Sequence, residues 1–289
     1  MIPVSQPLFA GNESRYLLEC IETGWISSEG PFVRRFEDAV SQHTGRKHAV
    51  GVSNGSVALD LAFHCLGLDP GDEVILPAFT IISCVSAIIR AGLKPVLADC
   101  DPVTFNIDPK EIERKITKKT RAILLVHTYG LPCDLDPLLK IARDHKLVVV
   151  EDAAEVLGQS YNGKPCGSFG DISVFSFYAN KIITSGEGGM VLTDDDQISE
   201  RLRSHRNLCF SPPRRFCHEE LGWNYRLSNL QAAVGLAQIE RLPFLVDRKR
   251  AIGRLYNEKL KDKKRIILPL DATSPALRIS EQTIRLQSS

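Results

Sequence analysis

Short apolar runs alternate with stretches of helical periodicity along the first two thirds of the chain. Within one such stretch, apolar residues recur at Ala58, Leu61, Ala62 and Cys65, which is the spacing of one buried helix face. This alternation predicts βαβ units, and therefore an α/β fold whose mostly parallel sheet is covered by helices on both faces. The predicted strands are His48–Ser53, Glu73–Leu76, Pro95–Ala98, Ala122–Val126, Leu147–Val150 and Ile172–Phe175, and the predicted helices are Gly55–Leu66, Thr80–Ala91 and Asp134–His145.

The pattern changes after Asp194. A short helix is predicted over Gln197–Ser204, and an irregular, basic, proline-containing loop follows over Arg206–Glu220. The segment Ser228–Lys261 has helical periodicity again. Because proline removes a hydrogen bond from a helix, we expect a break or bend near Pro243.

The composition argues against binding to nucleic acid or to a membrane. The chain has 289 residues, of which 43% are hydrophobic and 25% charged, and its net charge of +1 creates no field that favours a polyanion. No apolar run is long enough to span a bilayer, and Met1–Phe9 lacks the features of a signal peptide. The eight cysteines form no C-x-x-C pair, so we expect buried free thiols in a cytoplasmic protein, without a zinc site or a redox motif.

An acid, a hydroxyl and an amine follow two of the predicted strands. Asp152 comes after Leu147–Val150, and Ser176 and Lys181 come after Ile172–Phe175. Open parallel sheets bind ligands at the carboxyl ends of their strands. This set suits pyridoxal phosphate, because an amine forms the Schiff base, an acid pairs with the pyridinium nitrogen and a hydroxyl helps to hold the phosphate. Taken alone, Asp152 is equally consistent with a cap on the next turn.

Two further positions near predicted strand ends suit the same cofactor. Gly55 and Ser56 begin a predicted helix, where backbone amides bind phosphate well, although ordinary helix capping explains such a junction too. Phe79 follows another strand and has two interpretations, stacking on a flat cofactor or packing in the core.

Two further segments have candidate active-site residues, each with an ordinary alternative. His127 and Tyr129 end a strand, where a histidine is either a hydrogen-bonded structural group or a catalyst. Trp25 and Ser27 lie in a glycine-bounded loop near the N-terminus, which is either a plain surface loop or a wall of an active site.

Several of these residues belong to longer motifs that occur in a fixed order. The motifs are GWISSEGPFV at Gly24–Val33, GDEVILPAFT at Gly71–Thr80, EDAAE at Glu151–Glu155, SFYANK at Ser176–Lys181, GEGGM at Gly186–Met190 and GWNYRLSNLQAAVGLAQ at Gly222–Gln238. With them the chain resembles the DegT/DnrJ-type sugar aminotransferases, which have the aspartate aminotransferase (type I) fold. The resemblance extends from about Pro3 to about Arg250. Within the family it is strongest to enzymes that aminate GDP-4-keto-6-deoxymannose.

The resemblance implies a role for each motif residue. Lys181 would carry the cofactor and move a proton, and Asp152 would pair with the pyridinium nitrogen. Glu155 would lie near the phenolic oxygen of the cofactor, and Phe79 would stack on its ring. The remaining implied roles are phosphate binding by Gly55, Ser56 and Ser176, contact of Asn224 with the phosphate in a neighbouring subunit, and substrate binding by Trp25, Ser27, His127, Tyr129, Arg214, Arg215 and His218.

The implied reaction moves an amino group from an amino acid to a nucleotide-linked 4-keto-6-deoxy sugar, for polysaccharide biosynthesis. By family resemblance the donor is glutamate and the enzyme is a homodimer with shared active sites. Two alternatives stay open. One is a related dehydratase that removes a sugar hydroxyl, whose members usually lack the lysine found here as Lys181. The other is a non-catalytic remnant that only binds the cofactor.

The chain departs from the family pattern at two places. In Asn207–Phe210, leucine and cysteine follow the asparagine where the most similar enzymes usually have glutamine and glycine. The full small C-terminal domain of the family is also largely missing. We therefore expect a cofactor-binding large domain with an N-terminal arm over residues 1–240, and a connecting helix with a remnant of the small domain over 241–289. Loss of the full small domain should weaken substrate binding more than cofactor binding.

Overall fold

The computed structural model describes residues 3, 5–210, 216, 218, 220–263 and 268. Its strands are His48–Val52 (β1), Glu73–Pro77 (β2), Lys94–Ala98 (β3), Thr120–Val126 (β4), Val148–Asp152 (β5), Ser160–Tyr161 (β6), Lys164–Pro165 (β7), Ile172–Ser176 (β8) and Gly189–Thr193 (β9). Its helices are Glu13–Thr23 (α1), Pro31–Thr44 (α2), Gly55–Cys65 (α3), Ile82–Arg90 (α4), Pro109–Lys115 (α5), Leu135–His145 (α6), Asp196–Arg206 (α7), Asn229–Ile239 (α8) and Leu242–Leu260 (α9).

Seven strands form the central sheet, in the order β1-β9-β8-β5-β4-β2-β3. β9 runs antiparallel to both of its neighbours, and the remaining pairs are parallel. Six strands therefore point the same way, and their carboxyl ends share one edge of the sheet. A mostly parallel sheet flanked by helices confirms the predicted fold class.

Side chains that alternate along the strands supply a core on each face of the sheet. On β4, Leu124 packs in the cluster that contains Ala58 of α3, whereas Ile123 packs in the cluster that contains Ile141 of α6. A third cluster joins α1, α2, α8 and the start of α9 to the sheet through residues such as Phe36 and Met190. Period-two alternation between two apolar layers is the expected pattern for a sheet buried on both sides.

The predicted elements occur with shifts of a few residues at their ends. Asp152 is the last residue of β5, where the sequence pattern placed it just beyond the strand. The expected bend near Pro243 is a break between two helices, and Pro243 lies in the first turn of α9, where a missing N–H costs little. Helices α1, α2 and α5 and strands β6, β7 and β9 were not predicted. Within the described part of the chain, no helix has both the length and the apolar character needed to cross a membrane.

Candidate active site

The carboxyl ends of β2, β4, β5 and β8 surround a cavity of about 300 Å³. Side chains from four separate segments of the chain meet there, as expected for the edge of an open parallel sheet. The cavity is lined by Phe79, Thr80, Ile81, Val126, His127, Thr128, Tyr129, Asp152, Ala154, Glu155 and Lys181.

Lys181 is held in the turn after β8 and faces a carboxylate. Its backbone N–H donates to the carbonyl of Tyr178 at 3.0 Å, which fixes the turn. Its Nζ lies 3.2 Å from Oε1 of Glu155 in an ion pair that is largely screened from solvent. The other carboxylate oxygen of Glu155 accepts the N–H of Tyr129 at 2.8 Å. One acid therefore positions both the amine and the loop after β4, where Tyr129 adopts a left-handed φ of 53°.

Asp152 presents a buried carboxylate to the same cavity. Its Oδ1 accepts the N–H of Ala154 at 3.1 Å, and the thiol of Cys84 lies 3.4 Å from its Oδ2. Burial raises the pKa of Asp152, and the charge of Lys181 acts in the opposite direction. No described cationic side chain forms an ion pair with Asp152. The acid is thus placed to receive a cation from a ligand, whereas a role as cap accounts for only one of its oxygens.

Cys84 is the member of this group that sequence reasoning did not single out. It was expected only to be a buried thiol, as were the other cysteines. The seven cysteines in the described residues are all free, and six of them are buried. No sequence signal placed Cys84 beside Asp152, because the two lie on α4 and β5 and meet only through the packing of that helix on the sheet.

Gly55 and Ser176 come into close contact where α3 begins. A Cβ atom on Gly55 would lie 2.7 Å from the Cβ of Ser176 and 3.0 Å from its Oγ, so only glycine fits. The side chain of Asn54 caps α3 by accepting the N–H of Val57 at 3.0 Å. The first amides of a helix have no partner within the helix, and here they lie beside a hydroxyl. We call this helix start and the adjacent Ser176 hydroxyl the cradle, and its hydrogen-bond donors suit a phosphate.

Phe79 lies on the wall of the cavity and is 44% exposed. Its ring centroid is 5.6 Å from that of Phe105 and 5.8 Å from that of Tyr129. Two aromatic neighbours hold the ring while part of its surface stays open. The position suits stacking on a flat ligand, which is one of the two interpretations of this residue.

His127 is fixed by its neighbours. Nδ1 accepts the N–H of Cys133 at 3.0 Å, so the proton is on Nε2, which donates to Oε1 of Glu151 at 3.0 Å. The side chain has no exposed surface. Because both ring nitrogens are engaged, His127 supports the end of β4, which is the structural one of its two interpretations.

Among the residues that the structure describes, Trp25, Ser27, His218 and Asn224 do not line this cavity within one chain. Trp25 and Ser27 are exposed in the loop before α2, where the Trp25 carbonyl accepts the side-chain amide of Asn229 at 2.6 Å. Asn224 is exposed as well. His218 bonds the carbonyl of Leu208 through Nδ1 at 2.9 Å. The predicted substrate ligands Arg214 and Arg215 lie outside the described residues.

A second cavity, of about 340 Å³, also reaches Lys181. Its walls come from the N-terminal arm, the turn after β8 and helix α9. Besides Lys181, two cationic side chains line it, Arg248 and Lys249, and burial lowers the pKa of Lys249. A half-buried amine with a lowered pKa favours an anionic neighbour, because an anion stabilises its charged form.

Comparisons with known proteins agree with the geometry. A sequence profile of the DegT/DnrJ/EryC1/StrS aminotransferase family matches residues 8–288. A GDP-perosamine synthase from Caulobacter vibrioides is 48% identical over 260 residues, which are 90% of this chain and 70% of that protein.

Two solved structures show the same fold. PseC of Helicobacter pylori, an aminotransferase of pseudaminic acid biosynthesis, superposes with a TM-score of 0.87 at 27% identity, over 91% of this chain and 71% of its own. A GDP-4-keto-6-deoxymannose-3-dehydratase with bound GDP-perosamine gives 0.86 at 27% identity, over 91% and 74%.

Proposed function

Because the chain belongs to the DegT/DnrJ/EryC1/StrS aminotransferase family, we propose that it is a pyridoxal-phosphate enzyme that aminates GDP-4-keto-6-deoxymannose to GDP-perosamine, with glutamate as donor. The observation that carries the proposal is the placement of the Lys181 amine on one cavity with the buried carboxylate of Asp152. The similarity to GDP-perosamine synthases supports the choice of sugar and nucleotide.

The residues around the cavity fit pyridoxal phosphate. The amine of Lys181 suits its aldehyde, the buried Asp152 suits its pyridinium nitrogen, and Phe79 offers a ring face. Gly55 and Ser176 form the cradle in which a phosphate would be held by helix amides and a hydroxyl. When bound, the cofactor supplies an aldehyde that accepts the amino group and a ring that delocalises the negative charge of the reacting carbon.

Lys181 has the place and the chemistry of the proton carrier. Its Nζ is held by Glu155 at 3.2 Å, at the rim of both cavities. From there it takes a proton from the α carbon of the amino donor and delivers one to C4 of the keto sugar in the second half of the reaction. Asp152 would keep a proton on the pyridinium nitrogen of a bound cofactor, because its buried carboxylate would stabilise the positive charge.

The second cavity suits the anionic parts of both substrates. A diphosphate and the carboxylates of glutamate are negatively charged, and Arg248 and Lys249 provide positive charge next to Lys181. An anion held here would bring its reacting carbon towards the amine without occupying the cofactor cavity. We therefore include both side chains in the proposed substrate site.

A homodimer with shared sites is part of the proposal. Phe79, Ile81 and Ile82 are 44%, 64% and 72% exposed at and beside the cavity, and exposed apolar groups in a cluster favour a protein partner. Asn224 is exposed and does not line the cavity of its own chain. In a dimer, it would be free to contact the phosphate held by the neighbouring subunit.

Two measurements test the proposed function. Borohydride should fix pyridoxal phosphate to the peptide that contains Lys181, and labelling of another lysine would contradict the assignment. Purified protein with GDP-4-keto-6-deoxymannose and glutamate should form the amino sugar, detected by mass spectrometry. Lys181→Ala should abolish product, whereas Lys140→Ala, an exposed lysine on α6, should not.

The same assay separates the alternatives. A dehydratase would release a deoxygenated sugar, and a cofactor-binding remnant would label at Lys181 but form no product. We place the dehydratase second, because dehydratases of the family usually lack a lysine at the position of Lys181.

A further inference from the structure

Three side chains that commonly bind metals meet at the C-terminal end of α7. They are His205 and Cys209, which are buried, and Glu220, which is exposed. One nitrogen, one sulfur and one oxygen atom lie within 4.8 Å of one another. The search for paired cysteines could not find this group, because only one of its three residues is a cysteine and Glu220 is distant from it in sequence.

The contacts of His205 place its Nε2 atom against a carboxylate. Nδ1 lies 2.9 Å from the carbonyl oxygen of Arg201, which can only accept, so Nδ1 carries a proton. Nε2 lies 2.8 Å from Oε2 of Glu220, which also accepts. Either a second proton or a cation must therefore lie between the imidazole and the carboxylate. A backbone carbonyl that fixes the outer ring nitrogen is the usual support of a histidine that ligates a metal.

A second cluster of the same composition shows the contrast. His127, Glu151 and Cys166 are all buried and equally close together. There, however, Nδ1 of His127 accepts an N–H, so Nε2 donates its own proton to Glu151. Glu151 also accepts the N–H of Gly167 at 2.6 Å and that of Phe169 at 2.8 Å. This cluster is satisfied without a cation, whereas the one at His205 needs either a second proton or a cation between Nε2 and Glu220.

The backbone around Cys209 is closely packed. Cys209 has a φ of 51°, a conformation that favours glycine, and its N–H donates to the carbonyl of Ser204 at 2.9 Å. A Cβ on Gly222 would lie 2.8 Å from the sulfur of Cys209 and 2.9 Å from the carbonyl oxygen of His205. That carbonyl accepts the N–H of Trp223 at 2.8 Å. The thiol is thus held close to His205.

We propose that His205 Nε2, Cys209 Sγ and a carboxylate oxygen of Glu220 bind Zn²⁺, with water as the fourth ligand. Nitrogen, sulfur and oxygen donors in this number are typical of zinc. Binding forms one bond from zinc to each atom, and the proton of the Cys209 thiol is released to the buffer. The ion would join the C-terminal end of α7 to the segment that leads from Glu220 to Asn224.

Equilibrium dialysis of the holoenzyme against buffered Zn²⁺ tests the proposal, with bound metal measured by mass spectrometry. Cys209→Gly is the main variant, because glycine suits the backbone there and removes the sulfur. Glu220→Gln changes an exposed side chain and keeps its size. Cys100→Ser is the control, a partly exposed cysteine outside both clusters.

The wild type and Cys100→Ser should each bind one zinc more than Cys209→Gly at micromolar free metal. The loss of a ligand should weaken binding at least about 100-fold, since the loss of an outer-shell partner already costs about 10–100-fold. Zinc should also raise the melting temperature of the wild type but not of Cys209→Gly. If the wild type binds no more zinc than Cys209→Gly, or Glu220→Gln keeps wild-type affinity, the proposal is wrong and a proton joins His205 to Glu220.

Discussion

Replacing Gly55 with alanine should weaken cofactor binding more than it weakens the fold. The added Cβ would lie 2.7 Å from the Cβ of Ser176, whereas carbon atoms pack best at about 3.5–4.0 Å, so the cradle must open by about 1 Å. Overpacking of this kind costs about 1–3 kcal/mol, and alanine recovers about 0.5–1 kcal/mol over glycine in a helix. The net loss of stability is therefore at most about 2.5 kcal/mol.

Opening the cradle also separates the first amides of α3 from the hydroxyl of Ser176, which are both proposed to bind the phosphate of the cofactor. A hydrogen bond to a charged group contributes about 1.5–3 kcal/mol, so the loss of one should raise the dissociation constant of pyridoxal phosphate roughly 10- to 150-fold. Titration of apoprotein by absorbance measures this constant, and thermal melting measures stability in the same samples.

Two variants control the Gly55→Ala experiment. Ser176→Ala removes the hydroxyl without adding an atom, and should lose no more affinity than Gly55→Ala. Gly11→Ala adds a Cβ against the flexible side chain of Arg241, away from the cavity, and should bind normally. An affinity of Gly55→Ala within about twofold of the wild type would refute the argument that this close contact forms the phosphate cradle.

Two further predictions concern Asp152 and the proposed homodimer. Burial raises the pKa of Asp152, so its ionisation opposes folding of the apoprotein as the pH rises above 3.8. Asp152→Asn should thus raise the melting temperature of the apoprotein at neutral pH, by an amount that shrinks towards pH 3.8. Transamination should slow by orders of magnitude in the same variant. An unchanged melting temperature would show that burying the ionised carboxylate does not destabilise the apoprotein. Mixing Lys181→Ala and Asn224→Ala chains should restore part of the activity, because one site of the mixed dimer has both native residues, and a verified mixed dimer without activity would argue against shared sites.

Local sequence patterns were sufficient to predict the elements that carry the cofactor residues. Apolar runs placed β5 and β8, and helical spacing placed α3, because each of these signals depends only on neighbouring positions. The sheet edge then followed from the rule that ligands bind at the carboxyl ends of parallel strands. For this reason Asp152 and Lys181 could be placed on one site before any tertiary contact was known.

Contacts between distant segments could not be predicted in this way. The pairing of Lys181 with Glu155 and the position of Cys84 beside Asp152 depend on how β5, β8 and α4 pack. Strand β9 was missed because its glycine-rich start resembles a turn. The cluster at His205 and Glu220 was missed because a loop of uneven composition separates its members.

The place of β1 in the sheet sets the timing of folding during synthesis. Its partner within the sheet is β9, and residues 53–188 lie between the two strands. At about 5–20 residues per second, a ribosome needs roughly 7–27 s to make that segment. Throughout this interval β1 has exposed backbone groups and no strand to pair with, and the start of α3 is not yet joined to β8. Because an unpaired strand edge can pair with another chain, β1 should be most prone to aggregation before β9 leaves the ribosome.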